Sequence, residues 1–273
     1  MKLKAPSRKT NTAGFTLIEM LVVISIIGIL ASIAIPVVAK VKLRATIAQT
    51  KLQMGALQNG IAQYKSMYSR YPLINEIYAQ QSDYTFGTRD QLDFNSAYVQ
   101  RHSDYDLPSG TAIERCNRDI MGTLAGLTNF RDGSQTANTN HQYNIKKDII
   151  FSAKQGESGV KGVGEDGIYR DPWGSPYIIS IDANFDNRVY DSFYRRSAVS
   201  QKAAGATAGL NGLVNTIDAN GNANNYSLQG DIMIWSFGPD KTADPNIKAD
   251  TETTDSVTGN KISNSDNVLS WAD

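Results

Sequence analysis

The first residue with chemical consequence is Glu19, which borders twenty residues, Met20 to Ala39, that carry no charge and are rich in Leu, Ile and Val. A carboxylate at bilayer depth is costly to desolvate, so it is expected either to meet a cation or to sit in water at the membrane surface. A second concentration of acids follows the apolar segment Ile232 to Phe237. Asp240, Asp244, Asp250, Glu252 and Asp255 occupy the polar stretch Gly238 to Ser265, which leads into Asp266. This stretch has too little apolar surface to order itself and no disulfide to close it. Calcium suits such oxygens, since it takes about six to eight of them in flexible geometry. The alternative is a solvated acidic loop without metal. A rival oxygen set, Asp182, Asn184, Asp186 and Asp191, is spaced partly like an EF-hand loop but lacks its glycine and terminal glutamate.

Covalent and acid-base catalysis find no support. No G-x-S-x-G elbow, P-loop or H-E-x-x-H occurs. His102 and His141 stand alone in polar sequence and read as surface histidines. Cys116 is the only cysteine, which excludes an internal disulfide, and with two distant histidines it does not make a zinc site. The expectation is a protein that is not an enzyme.

The elements that must carry these groups begin with a helix. Twenty apolar residues span about 30 Å as a helix, one bilayer crossing, and exceed the apolar core of an ordinary secretory signal peptide. Lys2, Lys4, Arg8 and Lys9 precede Phe15, so the N-terminus is expected in the cytoplasm and everything after about Lys40 outside it. The helical pattern continues as an amphipathic stripe, Ile47, Met54, Leu57, Ile61, Tyr64 and Tyr68, and should stop at Arg70-Tyr71-Pro72. This predicts one helix of about 80 Å from Phe15 to near Tyr68, kinked or locally melted at Pro36. Tyr64, Tyr68 and Tyr71 are expected to pack rather than to bind a ligand.

Residues 72–164 read as mixed short helices and loops. Asp171-Pro172-Trp173-Gly174 is a turn, and Tyr177 to Ile181 followed by Arg188-Val189-Tyr190 reads as a β-hairpin across Asp182 to Asn187. Ser197 to Leu228 reads as an inserted surface loop, Ile232 to Phe237 as a further strand, and the chain closes on Asp266 to Trp271. The fold class is α+β: a long N-terminal transmembrane and amphipathic helix packed on a small C-terminal antiparallel sheet.

Gly14-Phe15-Thr16-Leu17-Ile18-Glu19, followed by an apolar helix containing Pro36, resembles the class III signal of type IV pilins and type II secretion pseudopilins. The resemblance implies that a prepilin peptidase cuts after Gly14 and N-methylates Phe15, and that Glu19 of one subunit pairs with the Phe15 amine of its neighbour. Phe15, Glu19 and Pro36 become the assembly residues. Removing the four leader cations leaves 23 basic against 27 acidic residues, a charge near −4, which argues against nucleic acid as partner. The segments Asp171 to Tyr177, Ser236 to Asp240 and Asp266 to Trp271 are similar to the major pseudopilin of type II secretion systems. That likeness implies calcium held by Asp240, Asp266 and a carbonyl at or near Phe237.

On this reading residues 1–14 are the leader, 15–40 and 41–71 the transmembrane and amphipathic halves of the helix, 72–164 a variable region, and 165–273 the C-terminal sheet. The implied role is a structural subunit of a type II secretion pseudopilus. Its partners would be further copies of itself in a helical filament, the prepilin peptidase, the inner-membrane secretion platform and other pseudopilins. The implied location is the bacterial inner membrane, crossed once, with the C-terminal domain periplasmic. The alternatives are a type IV pilus subunit for adhesion or motility, and a periplasmic enzyme or binding protein anchored by one span.

Overall fold

The computed structural model describes residues 15–79, 81–86, 117–156, 161–204, 206–216, 225–244, 246–254 and 261–272. Gly14, the rest of the leader, His102, Cys116 and Asp255 lie outside the described residues. Two compact units are present, one reaching Thr46 and the other running from Ile47 to Asp273. Helix α1 (Leu17–Tyr68) contributes to both.

In the first unit α1 is apolar and wholly exposed from Leu17 to Ala39, and it is the one helix among the described residues long and apolar enough to cross a membrane. Of the kink or local melting expected at Pro36, melting does not occur, for the helix is unbroken there. A proline removes one backbone bond, and the intact turns of a long helix on either side hold the segment together.

In the second unit the stripe read from the sequence is the buried face of α1: Thr50, Met54, Leu57, Gly60, Ile61 and Tyr64 are buried, with Ile47 and Tyr68 partly so. Gly60 is required, because a Cβ there would stand 2.8 Å from the Cβ of Phe151. The helix stops at Tyr68, and Ser69 turns out of it at φ 55° with its N–H on the Lys65 carbonyl at 2.8 Å.

The chain continues through α2 (Asn75–Tyr78), β1 (Tyr84–Phe86) and α3 (Arg118–Leu124), then β2 (Gly162–Val163), β3 (Tyr169–Arg170), β4 (Ile178–Ile181) and β5 (Arg188–Val189). After these come α4 (Ser197–Ser200), β6 (Val214–Thr216), β7 (Asn225–Gln229), β8 (Ile232–Ser236), β9 (Glu252–Thr254), β10 (Lys261–Ser263) and β11 (Val268–Leu269). The main sheet is antiparallel in the order β1-β4-β8-β11. One face, with Ile179, Ile181 and Ile234, joins Leu57, Ile61 and Tyr64 of α1 in a single core. The other face, with Ile178, Met233 and Trp235, packs on Phe193, Tyr194, Val199, Leu213 and Tyr226. Burial on both faces explains why Tyr177 to Ile181 is almost continuously apolar instead of alternating.

Three expectations are corrected. The hairpin does not form: β4 pairs with β1 and β8, whereas β5 pairs with β7 in a separate sheet, order β5-β7-β6. The turn at Asp182 wraps on its own carboxylate and sends the chain away from β4 (below). The inserted surface loop is not a loop throughout, since it holds α4, β6 and β7 and buries Val199, Leu213 and Tyr226 against the second face of the main sheet. A few well-placed apolar residues in a polar stretch sufficed, which composition concealed. The acidic segment after Phe237, expected to have no order of its own, carries secondary structure. Its strands β9 and β10 pair antiparallel, and the buried Asn264 amide accepts the Asp244 N–H at 2.9 Å and donates to the carbonyls of Asp244 (2.8 Å) and Ile247 (3.0 Å).

Candidate assembly and metal sites

Phe15 and Glu19 lie at the start of α1, both exposed, and Pro36 is exposed farther along it. Glu19 is not left without donors. Its Oε2 accepts the Thr16 N–H at 2.8 Å and the Thr16 hydroxyl at 2.6 Å, while the Glu19 N–H donates back to Thr16 Oγ1 at 3.3 Å. This is a reciprocal capping box on the first turn, where a carboxylate also meets the positive end of the helix dipole. Reasoning from desolvation alone asked for an outside cation and missed Thr16. The signal was present as Thr16-x-x-Glu19 at the head of the apolar run.

The three C-terminal segments noted in the sequence meet in the fold. Asp171 is fully buried. Its carboxylate accepts the N–H groups of Trp173 (2.9 Å) and Ser175 (2.8 Å) and the hydroxyl of Ser236, so the turn before β4 is fastened to the end of β8. Burial pushes this carboxyl up to about 6 despite those donors.

Directly after β8, Gly238 takes φ 72°, and a Cβ on it would come within 2.2 Å of the Asp266 carbonyl oxygen, so the backbone passes hard against Asp266. The Asp240 N–H reaches Asp266 Oδ2 at 3.4 Å, and Asp240 itself accepts N–H groups from Thr242 (2.9 Å) and Ser263 (2.7 Å). Asp266 Oδ1 is buried without a hydrogen-bond partner, as are Thr242 Oγ1 and Asn267 Oδ1. Burial, and after it the like charge of Asp240, pushes the Asp266 carboxyl up to about 7. Two carboxylates and orphaned oxygens in one loop fit a hard cation. Among the described residues, however, no three His, Cys, Asp or Glu side chains converge, so backbone and amide oxygens would have to complete the shell. Phe237 is buried, with its ring against Trp235 at 4.8 Å, leaving its carbonyl as the group it could offer.

The rival oxygen set separates. Asp182 accepts the N–H groups of Asp186 (3.2 Å) and Asn187 (2.9 Å), and Asp186 accepts that of Arg188 (2.9 Å), with Phe185 and Asn187 at φ 61° and 62°. Asp191 turns into the core instead, where it accepts the Ser180 hydroxyl (2.6 Å), the Trp235 indole N–H (3.0 Å) and two backbone N–H groups. Sequence reading missed Asp83, a buried carboxylate just before β1. It accepts the Tyr190 N–H at 2.8 Å and leaves its other oxygen unpartnered. Burial first, with the charges of Asp182 and Asp186 adding, pushes it up to about 7.

A family model described as the prokaryotic N-terminal methylation motif matches residues 9–35. The chain is 28% identical to the fimbrial protein of Neisseria meningitidis over 54% of its own length and 89% of that protein. It is 35% identical to the type IV major pilin protein PilA of Myxococcus xanthus over 35% of the chain and 44% of the relative. It is 40% identical to the type II secretion system core protein G of Aeromonas hydrophila over 24% of the chain and 46% of the relative. The chain thus spans less than half of the last two relatives. None of the three is named as an enzyme, in keeping with the missing catalytic motifs. No solved structure matches the chain.

Proposed function

We propose that this type IV pilin-like chain is a subunit of a type II secretion pseudopilus, cut after Gly14, held in the inner membrane by the first part of α1, and polymerised through that helix to support protein export. The observation that carries the reading is the methylation motif over residues 9–35 leading straight into an apolar helix. Likeness to a secretion core protein G supports the pseudopilus. A surface type IV pilus subunit is the second reading, supported by the match along 89% of a fimbrial protein. In both, Glu19 would exchange its Thr16 donors for the Phe15 ammonium of a neighbour, and the prepilin peptidase and a membrane assembly platform would be partners.

The test has two arms. Intact mass of protein purified from its host should give a methylated chain beginning at Phe15, and a start elsewhere would sink the processing step. Electron microscopy of sheared filaments should show polymer for the wild type and none for Glu19→Val, which should still insert because a charge has been removed. Deleting the chain should then empty the medium of secreted proteins if the pseudopilus reading holds, and strip surface filaments if the pilus reading does.

Calcium at Asp240, Asp266 and the Phe237 carbonyl is a further part of the proposal, supported by the orphaned Asp266 oxygen. Bound there, the ion would neutralise two facing carboxylates and tie the end of β8 to the approach to β11. Chelator-stripped protein should gain several degrees in melting temperature on adding millimolar calcium, and Asp240→Ala with Asp266→Ala should abolish the gain. Equal melting with and without calcium in the wild type would remove the ion from the account.

A further inference from the structure

From Met20 to Asn75 the sequence contains no acidic residue, yet it carries six cations, Lys40, Lys42, Arg44, Lys51, Lys65 and Arg70. The last three are used by the fold. Lys51 Nζ donates to the Ala272 carbonyl at 2.9 Å, Lys65 pairs with Asp231 at 2.6 Å, and Arg70 donates to the Leu73 carbonyl at 2.9 Å. Lys40, Lys42 and Arg44 are different. All three side chains are exposed, and none makes an ion pair or side-chain hydrogen bond among the described residues.

Their position has a physical scale. They follow immediately on the twenty uncharged residues that end at Ala39. A helix of that length matches a hydrocarbon core of about 30 Å, and the interfacial layer adds about 5–8 Å on each side. At about 1.5 Å per residue Arg44 lies about 7 Å beyond Ala39, so the three cations fall within one headgroup layer. At about 100° per residue, Lys40 and Arg44 share one side of the helix and Lys42 takes nearly the opposite one. The charges therefore encircle the helix, and each has a stem long enough to reach a phosphate from its own side.

We propose that Lys40, Lys42 and Arg44 form a collar that binds acidic phospholipid headgroups on the side of the membrane where the second unit lies. This rests on the reading of α1 as a membrane span and adds the lipid class that the span selects. The same phosphate chemistry could come from a free anion, and the experiment separates the two.

The full chain is reconstituted into phosphatidylcholine vesicles doped with spin-labelled phosphatidylglycerol or spin-labelled phosphatidylcholine, and the motionally restricted lipid is measured by electron paramagnetic resonance. Phosphatidylglycerol should be preferred at least about fivefold, the gain of one well-placed cation. The preference should fall to parity in the Lys40→Gln, Lys42→Gln, Arg44→Gln variant and in about 0.5 M salt, where screening is nearly complete. Ten-millimolar inorganic phosphate should leave it intact, and displacement by phosphate would overturn a lipid site in favour of a free anion. Parity in the wild type, or a preference that survives in the variant, refutes the collar while the span stands. If neither lipid is restricted, the span itself fails and the collar with it.

Discussion

At the scale of single residues, carboxylates divide by what answers them. Asp191 and Asp171 are buried but richly supplied with donors, so they act as fastenings between strands. Asp83 has backbone donors on one side only and keeps a buried oxygen without a partner among the described residues, and its carboxyl is pushed from an ordinary value near 3.8 up to about 7. A raised folded value means that the folded protein holds this proton where the unfolded chain has released it. The group's contribution to stability is therefore full below about pH 4 and is lost as pH rises through 7. Asp83→Asn keeps an acceptor for the Tyr190 N–H and removes the charge. It should stabilise the protein by a few kcal/mol at pH 8 and by little at pH 4, as read from denaturant midpoints across that range. Stabilisation equal at both ends would mean that the buried charge is not the cause.

Among the elements, α1 in the second unit is shaped by what its partners need. Gly60 admits Phe151, whereas Gly55, on the same helix, has nothing within 4 Å of where a Cβ would sit. The two glycines should answer alanine in opposite directions. Gly55→Ala should stabilise by up to about 1 kcal/mol through helix propensity. Gly60→Ala gains the same propensity but must push Phe151 off the helix, an overpacking cost of about 1–3 kcal/mol, so a net loss is expected. Chemical unfolding of the pair, compared with wild type, checks the sign. The sheet shows a parallel economy: β8 is central because both of its faces are apolar, and β1 and β11 can stand at the edges because they are only three and two residues long.

For the whole molecule, the buried residues of both hydrophobic cores run from Met54 onward, and the described residues of the first unit bury none of their apolar side chains. A chain beginning at Ile47 therefore keeps every core contact among the described residues and loses the exposed apolar surface from Leu17 to Ala39. It should be soluble and unfold in one cooperative transition, followed by near-ultraviolet circular dichroism, which reports the packed Trp235, Tyr194 and Phe193. A soluble chain without near-ultraviolet signal would show that the body depends on the removed helix.

The sequence by itself determined whatever depends on neighbours along the chain. The span of α1, its buried stripe from Ile47 to Tyr68, its end before Pro72 and the Glu19 motif all follow from periodicity, charge and proline, which act over a few residues. The turn at Asp171 and the apolar strands β4 and β8 were legible for the same reason. Which strand lies beside which was not. Tyr177 to Ile181 and Arg188 to Tyr190 are close in sequence and carry hairpin-like spacing, yet the partners of β4 are β1 and β8, both far from it in sequence. Pairing is decided by which arrangement covers both faces of a sheet, and that is a property of the assembled layers. The same holds for Val199, Leu213 and Tyr226, isolated in a polar stretch until the second face of the sheet gave them something to bury against. It holds for Asp191, assigned by spacing to a loop and turned by packing into the core, and for Asp83, whose unusual carboxyl exists only because the segment before β1 is buried beside the turn from Asp182 to Asn187. Burial and the meeting of distant charges are three-dimensional quantities, and no local pattern encodes them.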